Sequence, residues 1–231
     1  MELWTGGTLQ DVIDNQNNSN RSSTEVSEKY LSDEDASKIM KNILQTVSYL
    51  HNLGIVHRDL KPENIMFQKA NDMSSIKLID FGLATQYNDA NPLTLLDTQW
   101  GTLLYMAPEV VLKEEYSKSI DVWSLGIIMY NLVSGGRHPL HEKGESTELL
   151  KQKLEDRQEF KFDDSFSNLA KDLITKLTPY SPINRYNVDQ ALKHPWITRS
   201  HETKVPLTCV EMFKIMDSGD KLKKVCGKSN S

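Results

Sequence analysis

Two short runs of the sequence combine side chains that could do chemistry. They are HRDLKPEN at residues 57–64 and DFG at residues 80–82. A carboxylate on a loop, such as that of Asp59, could orient a hydroxyl group and accept its proton. Carboxylates are also the hard oxygen ligands that suit Mg²⁺. The two runs therefore indicate a site that joins proton acceptance to the binding of a cation.

A third run, Ala107-Pro108-Glu109, follows the other two along the chain. Each run alone could be an ordinary turn, but the three in this order are highly specific. Together they resemble the catalytic half of the eukaryotic protein kinase family, and the resemblance covers about residues 1–199. It implies a serine/threonine protein kinase that transfers the γ-phosphate of ATP to a hydroxyl of a protein substrate, with ATP and Mg²⁺ as cofactors.

The resemblance implies a role for each residue of the site. Asp59 would be the catalytic base, and Lys61 would contact the transferring phosphate as a point charge. Asn64 and Asp80 would be the Mg²⁺ ligands. Thr102 resembles the residue that braces Asp59 and Lys61. A lysine at position 61 fits a serine/threonine-directed enzyme rather than a tyrosine-directed one.

Other motif residues are expected to hold the structure rather than to do chemistry: His57, Arg58, Phe81, Gly82, Glu109, Asp121 and Arg185. Asp121 begins an apolar helix, and we expect it to accept hydrogen bonds from backbone N–H groups of the catalytic loop, because a buried carboxylate needs such partners. Glu109 and Arg185 resemble the buried ion pair of the family.

Arg58 precedes Asp59 and by resemblance marks the subclass in which this arginine holds a phosphorylated activation loop. Thr98 is the candidate acceptor in that loop, since a phosphate there would give Arg58 a bidentate partner and order residues 83–105. An unmodified surface threonine is the alternative. Without a phosphate on Thr98, Asp97 could act as a constitutive substitute.

The first nine residues, MELWTGGTL, resemble the hinge of these enzymes, with Glu2 and Trp4 near the adenine. The sequence contains no Gly-x-Gly-x-x-Gly loop and no strand lysine or helix glutamate of the small lobe. We therefore expect a mainly α fold with a small β-hairpin, a protein-kinase-like large lobe that lacks the N-terminal small lobe. The chain alone should transfer little or no phosphate. A catalytically silent kinase-like binding or regulatory module is the alternative function.

Hydrophobic spacing predicts the elements that would position these residues. Apolar residues three and four apart between Ala36 and Leu50 predict a helix, with Ser32 as its N-cap. The apolar runs 65–67 and 76–79 predict a two-stranded hairpin. Residues 122–133 leave no polar face, so they predict a helix surrounded by protein.

Composition narrows the class of protein. With 231 residues, 38% of them hydrophobic and 26% charged, the chain has the balance of a soluble globular protein. A net charge of −5 argues against nucleic acid as a partner. The longest apolar stretch is well short of the roughly 20 residues that cross a bilayer, so no membrane partner is expected. The sequence has 2 cysteines, which fits a reducing compartment and a cytoplasmic location.

We expect two regions along the chain, a kinase domain at residues 1–199 and a basic amphipathic tail at residues 200–231. The polar segment 15–31 is expected to be a solvated insertion in a loop. Basic and apolar residues at 210–225 suggest docking to a calmodulin-like protein, or else a helix that packs on its own domain. The tail gives the chain its similarity to calcium/calmodulin-dependent and calcium-dependent protein kinases. No EF-hand loop follows, so direct calcium binding is not expected.

Overall fold

A computed structural model describes residues 5–19, 31–69, 72, 75–87 and 103–199 of the chain. The described helices are α1 (Leu9–Ser19), α2 (Asp33–Asn52), α3 (Pro108–Val111), α4 (Ser119–Val133), α5 (Thr147–Glu155), α6 (Asn168–Leu177), α7 (Val188–Leu192) and α8 (Pro195–Thr198). The described strands are β1 (Ile55–Val56), β2 (Ile65–Phe67), β3 (Ile76–Leu78) and β4 (Thr85–Gln86). Short 3₁₀ turns cover Pro62–Asn64, Leu103–Tyr105 and Pro182–Asn184. The fold is mainly helical with short strands, as predicted.

Helix α2 leads directly into the first motif. The Ser32 hydroxyl accepts a hydrogen bond from the Asp35 N–H at 3.1 Å, so Ser32 is the predicted N-cap. The apolar face of the helix is buried along its whole length. Gly54 follows with a φ of 71°, a left-handed conformation that suits glycine and turns the chain into β1.

Helix α4 is the centre of the domain, because every residue from Ile120 to Val133 is buried. This confirms the prediction of a helix without a polar face. A Cβ atom at Gly126 would collide with Thr178, which shows how closely α4 approaches the end of α6. Among the described helices, none combines the length and apolarity needed to span a bilayer.

The strands form two small antiparallel pairs. Strands β2 and β3 are the predicted hairpin, with Ile65 opposite Leu78 and Phe67 opposite Ile76. Strands β1 and β4 pair with Val56 opposite Thr85. The HRD run directly follows β1, and the DFG run lies between β3 and β4, the strand that pairs with β1.

The polar composition of residues 15–31 predicts a loop, but this prediction is wrong for residues 15–19, which form the last turns of α1. The start of α1 is well capped, because the Asp11 N–H donates to the Thr8 hydroxyl and the Asp11 carboxylate accepts from the Thr8 N–H. Leu9 and Ile13 are buried and hold the helix on the domain. Once a helix has formed, asparagine and glutamine cost it only tenths of a kcal/mol each, about 0.7 at most. Residues 20–30 lie outside the described residues.

The loop between α4 and α5 is tied to the 3₁₀ turn Leu103–Tyr105 by the side chain of His138. Its Nδ1 accepts a hydrogen bond from the Leu140 N–H at 3.1 Å, so the proton of a neutral ring lies on Nε2. Nε2 donates to the Leu104 carbonyl at 2.8 Å. Burial lowers the pKa of His138 from 6.5 to about 4. The ring is therefore neutral in the folded protein near pH 7.

We expect acid to destabilise the fold in part through His138. Between pH 6.5 and pH 4 the unfolded chain takes up a proton at this histidine that the folded chain does not, so the free energy of unfolding falls as the pH falls. From pH 7 to pH 5 this contribution is about 2 kcal/mol. The free energy of unfolding, measured by urea titration at pH 7 and at pH 5, should therefore fall by about 2 kcal/mol less for His138→Gln than for the parent chain. Equal falls in the two proteins would contradict this assignment.

Candidate active site

The carboxylate of Asp121, in the first turn of α4, holds the HRD loop. Asp121 is fully buried, and its two oxygens accept the N–H groups of His57 and Arg58, each at 2.9 Å. The His51 ring at the end of α2 lies 2.9 Å from the same carboxylate. Burial opposes ionisation here, but the hydrogen bonds and the neighbouring histidines hold the pKa of Asp121 below its ordinary value. The loop is thus fixed to the most buried helix of the domain.

Asp59 follows this anchored dipeptide and has one oxygen fixed and one oxygen without a partner. Its Oδ2 accepts from Lys61 Nζ at 2.8 Å and from Asn64 Nδ2 at 3.0 Å. The same Asn64 nitrogen also donates to the Asp59 backbone carbonyl at 2.9 Å. Oδ1 is buried and has no hydrogen-bond partner in the part of the chain that the structure describes. A buried carboxylate oxygen without a partner costs free energy, so it indicates a position where a bound molecule could supply a hydrogen-bond donor.

The second motif reaches the same place through the hairpin. The Ile79 N–H donates to the Asn64 carbonyl at 2.9 Å, so the next residue, Asp80, lies beside the end of the HRD run. Asp80 is exposed, and its Oδ1 accepts the Gly82 N–H at 3.1 Å. Asp80 therefore follows a residue that is hydrogen-bonded to Asn64, and the Asn64 side chain in turn binds Asp59.

Arg58 and Asp80 both have left-handed backbone, with φ values of 69° and 60°. Such a conformation is unfavourable for residues other than glycine, and it persists only where surrounding contacts enforce it. Lys113 and Arg157 share it, but they follow the ends of helices α3 and α5, where it is common. Non-glycine strain inside both motifs is typical of a functional site.

Two contacts join the HRD run to the residues around DFG. The His57 ring is buried and lies 5.0 Å from the Phe81 ring, centroid to centroid, and burial lowers the pKa of His57. The Arg58 guanidinium donates to the Leu83 carbonyl and, at 3.2 Å, to the Tyr116 hydroxyl. His57 and Phe81 are thus packing residues, and Arg58 tethers the segment after DFG.

Glu109 and Arg185 form a buried, bidentate ion pair. Arg185 Nη1 lies 2.6 Å from Glu109 Oε1, and Nη2 lies 2.7 Å from Oε2. The guanidinium also donates to the Pro179 carbonyl at 2.8 Å and lies 5.1 Å from the centre of the Trp123 ring. The pair therefore joins α3, α4 and the turn before α7.

The donor set suits a magnesium ion that is bound mainly through a nucleotide. No group of three or more histidine, cysteine, aspartate or glutamate residues could hold a metal ion within the described ranges. Mg²⁺ binds through one or two carboxylates together with substrate phosphates and waters. Asp80 supplies an exposed carboxylate, and both contacts of Asn64 to Asp59 use the amide nitrogen and not the amide oxygen. These residues fit such an ion.

Some predicted residues lie outside the described residues: Glu2, Trp4, Thr98, Thr102 and the tail 200–231. Other residues of the site were not predicted, namely His51 and Tyr116. His51 lies six residues before His57, at the end of the apolar stripe of α2. Only this position in the sequence indicates its contact with Asp121. Nothing in the spacing of the sequence marks Tyr116.

Comparison with known proteins agrees with the geometry. Residues 1–197 match the family model for the protein kinase domain. The chain is 38% identical over 199 residues to Serine/threonine-protein kinase H1 of Homo sapiens, an alignment that covers 85% of this chain and 43% of that protein. It is also 38% identical over 199 residues to the Serine/threonine-protein kinase H1 homolog of Danio rerio, with 85% and 44% covered. The chain thus spans less than half the length of these relatives.

We expect Glu109→Gln to destabilise the fold strongly, because it leaves the Arg185 charge buried without its partner. The expected loss is about 3–5 kcal/mol in the free energy of unfolding, measured by urea titration. The control is Glu34→Gln, which breaks the exposed pair of Glu34 with Lys38 and should change stability little. Similar small losses for both variants would show that the buried pair does not have this role.

Proposed function

This chain belongs to the protein kinase family and is by family a serine/threonine protein kinase; on that premise we propose that it carries the catalytic residues for transfer of the ATP γ-phosphate to a serine or threonine hydroxyl of a protein. The observation that supports this most is that Oδ1 of Asp59 is buried and has no hydrogen-bond partner within the described ranges. It offers an acceptor where the hydroxyl of a substrate would need one.

Asp59 acts as the base in this proposal. Lys61 and Asn64 both donate to Oδ2, so the carboxylate cannot turn freely and Oδ1 remains as the acceptor for a substrate hydroxyl. Oδ1 orients the substrate hydroxyl and accepts its proton as the oxygen attacks the phosphorus atom. The charge of Lys61, 2.8 Å from Asp59, is close enough to stabilise the phosphate that is being transferred.

Asn64 and Asp80 would hold the magnesium ion of the nucleotide. Protein kinases generally use ATP and Mg²⁺, and the bound ion neutralises the charge that develops on the phosphates. The backbone hydrogen bond from Ile79 to Asn64 fixes the spacing of the two ligand residues. Glu2 and Trp4 would meet the adenine. The complete catalytic unit in this proposal includes a small lobe with a glycine-rich loop, which residues 1–231 do not contain.

Regulation through two further segments is part of the proposal. A phosphate on Thr98 would bind Arg58, whose guanidinium already contacts the segment after DFG at Leu83. The mixture of basic and apolar residues at 210–225 supports docking of a calmodulin-like protein and a place among the calcium/calmodulin-dependent kinases. A cytoplasmic location agrees with the small number of cysteines, which is 2.

We expect Asp59→Asn to lower kcat by about 10² to 10⁴-fold, because an amide cannot accept the proton of the hydroxyl. The measurement is transfer of radiolabelled phosphate from ATP to a serine peptide, by the chain joined to a small lobe and by the 231-residue chain alone. The control is Asp164→Asn, which removes an exposed carboxylate. It should leave kcat unchanged.

Equal turnover by Asp59→Asn and the parent would contradict the assignment of the base. Transfer by neither protein, with a small lobe joined to each, would favour the binding or regulatory module instead. The 231-residue chain alone should transfer little phosphate, since ATP would then be covered on one side only and water would weaken its electrostatic contacts.

A further inference from the structure

A groove with a volume of about 1340 Å³ begins next to the candidate active site. Glu63, in the same 3₁₀ turn as Asn64, is one of the residues that line it. The turn Leu103–Tyr105 contributes Leu104 and Tyr105 to its wall, and the loop between α4 and α5 contributes His138. Tyr105 also lines the small pocket that contains Asp59, so a segment of a protein substrate in this groove would lie beside the candidate active site.

The backbone of this wall is held by three hydrogen bonds to consecutive carbonyl groups. The Leu103 carbonyl accepts from the Met106 N–H at 3.2 Å, and the Tyr105 carbonyl accepts from the Ser124 hydroxyl at 2.7 Å. The carbonyl between them, that of Leu104, accepts from His138 Nε2 at 2.8 Å. His138 thus supplies the bond that reaches the wall from the α4–α5 loop.

The α4–α5 loop itself is well braced, so His138 has a rigid support. Lys153 of α5 donates to the Leu140 carbonyl at 3.0 Å and binds both carboxylate oxygens of Glu145, at 2.8 and 2.7 Å. Asn131 of α4 donates to the Arg137 carbonyl. The Leu140 N–H in turn fixes Nδ1 of His138. The position of Leu104 is therefore linked to α4 and α5 through one imidazole ring.

We propose that His138 is a positioning residue for the protein substrate, because it holds the Leu104 carbonyl and so fixes the wall of the groove beside Asp59. The inference rests on the proposed kinase function. His138 has no contact with Asp59, Asn64 or Asp80 among the described residues. Its loss should therefore weaken the binding of peptide and leave the binding of ATP unchanged.

The test compares three variants by steady-state kinetics, in the full chain joined to a small lobe. His138→Ala should raise the KM for a serine peptide about tenfold, the change that corresponds to the loss of one hydrogen bond. The KM for ATP and kcat at saturating peptide should stay within about twofold. His138→Gln keeps an N–H group that can reach the Leu104 carbonyl, and it should recover most of the parent KM.

His194→Ala is the matched control. His194 is buried, and its Nδ1 also accepts the N–H two residues later, from Trp196 at 3.2 Å. Its Nε2 lies 2.8 Å from Asp172, far along the chain from the groove residues. Its loss should lower the free energy of unfolding but leave the peptide KM unchanged. Equal peptide KM values for His138→Ala and His194→Ala would overturn the proposal, and so would an equal rise in the KM for ATP.

Hydrogen exchange of the amides at 103–106 separates this inference from the proposed function, because it needs no phosphoryl transfer. His138→Ala should speed their exchange about tenfold, whereas His194→Ala should not change it relative to the global stability of the protein. If the parent transfers no phosphate, the kinase proposal fails and the exchange rates alone decide on His138. Unchanged exchange in His138→Ala would then overturn its positioning role.

Discussion

The rest of the site depends on the hydrogen bonds that the carboxylate of Asp121 accepts from the HRD loop. A charge buried at the start of α4 is very costly unless hydrogen bonds satisfy it, and the donors that do so are the His57 and Arg58 N–H groups, with the His51 ring beside them. The same bonds keep Arg58 in a left-handed conformation that would otherwise be unfavourable. The backbone of Asp59 is then placed by the anchored residues before it, while Lys61 and Asn64 hold its side chain.

The two carboxylate oxygens of Asp59 have different roles, one structural and one chemical. Lys61 and Asn64 satisfy Oδ2, while Oδ1 is left buried without a partner among the described residues. A fold selected for stability alone would satisfy both oxygens, because an unpaired buried acceptor costs about 1–3 kcal/mol. The strained backbone of Asp80 adds a second local cost at the same place. Such costs concentrate where a bound substrate and cation can offset them.

Features of the fold that depend on local spacing could be predicted from the sequence, and features that depend on long-range contacts could not. The stripe of α2, the apolar α4 and the β2–β3 hairpin follow from hydrophobic period. The helix over residues 15–19 does not follow from their polar sequence, because it continues from a start that is set by the Thr8–Asp11 cap. Asp121 could be predicted as an acceptor, since a buried carboxylate needs donors. The contact of His138 with Leu104 joins residues 34 apart, and no local pattern encodes it.

In the proposed function, Asp59, Asn64 and Asp80 converge on the magnesium of a bound nucleotide. The most direct measurement is a crystal structure of the chain, joined to a small lobe, with Mn²⁺ and a non-hydrolysable ATP analogue, in which the anomalous signal locates the metal. We expect the metal to contact a carboxylate oxygen of Asp80 and the amide oxygen of Asn64, with Oδ1 of Asp59 facing the γ-phosphate. A metal bound elsewhere, or a γ-phosphate remote from Asp59, would contradict the account.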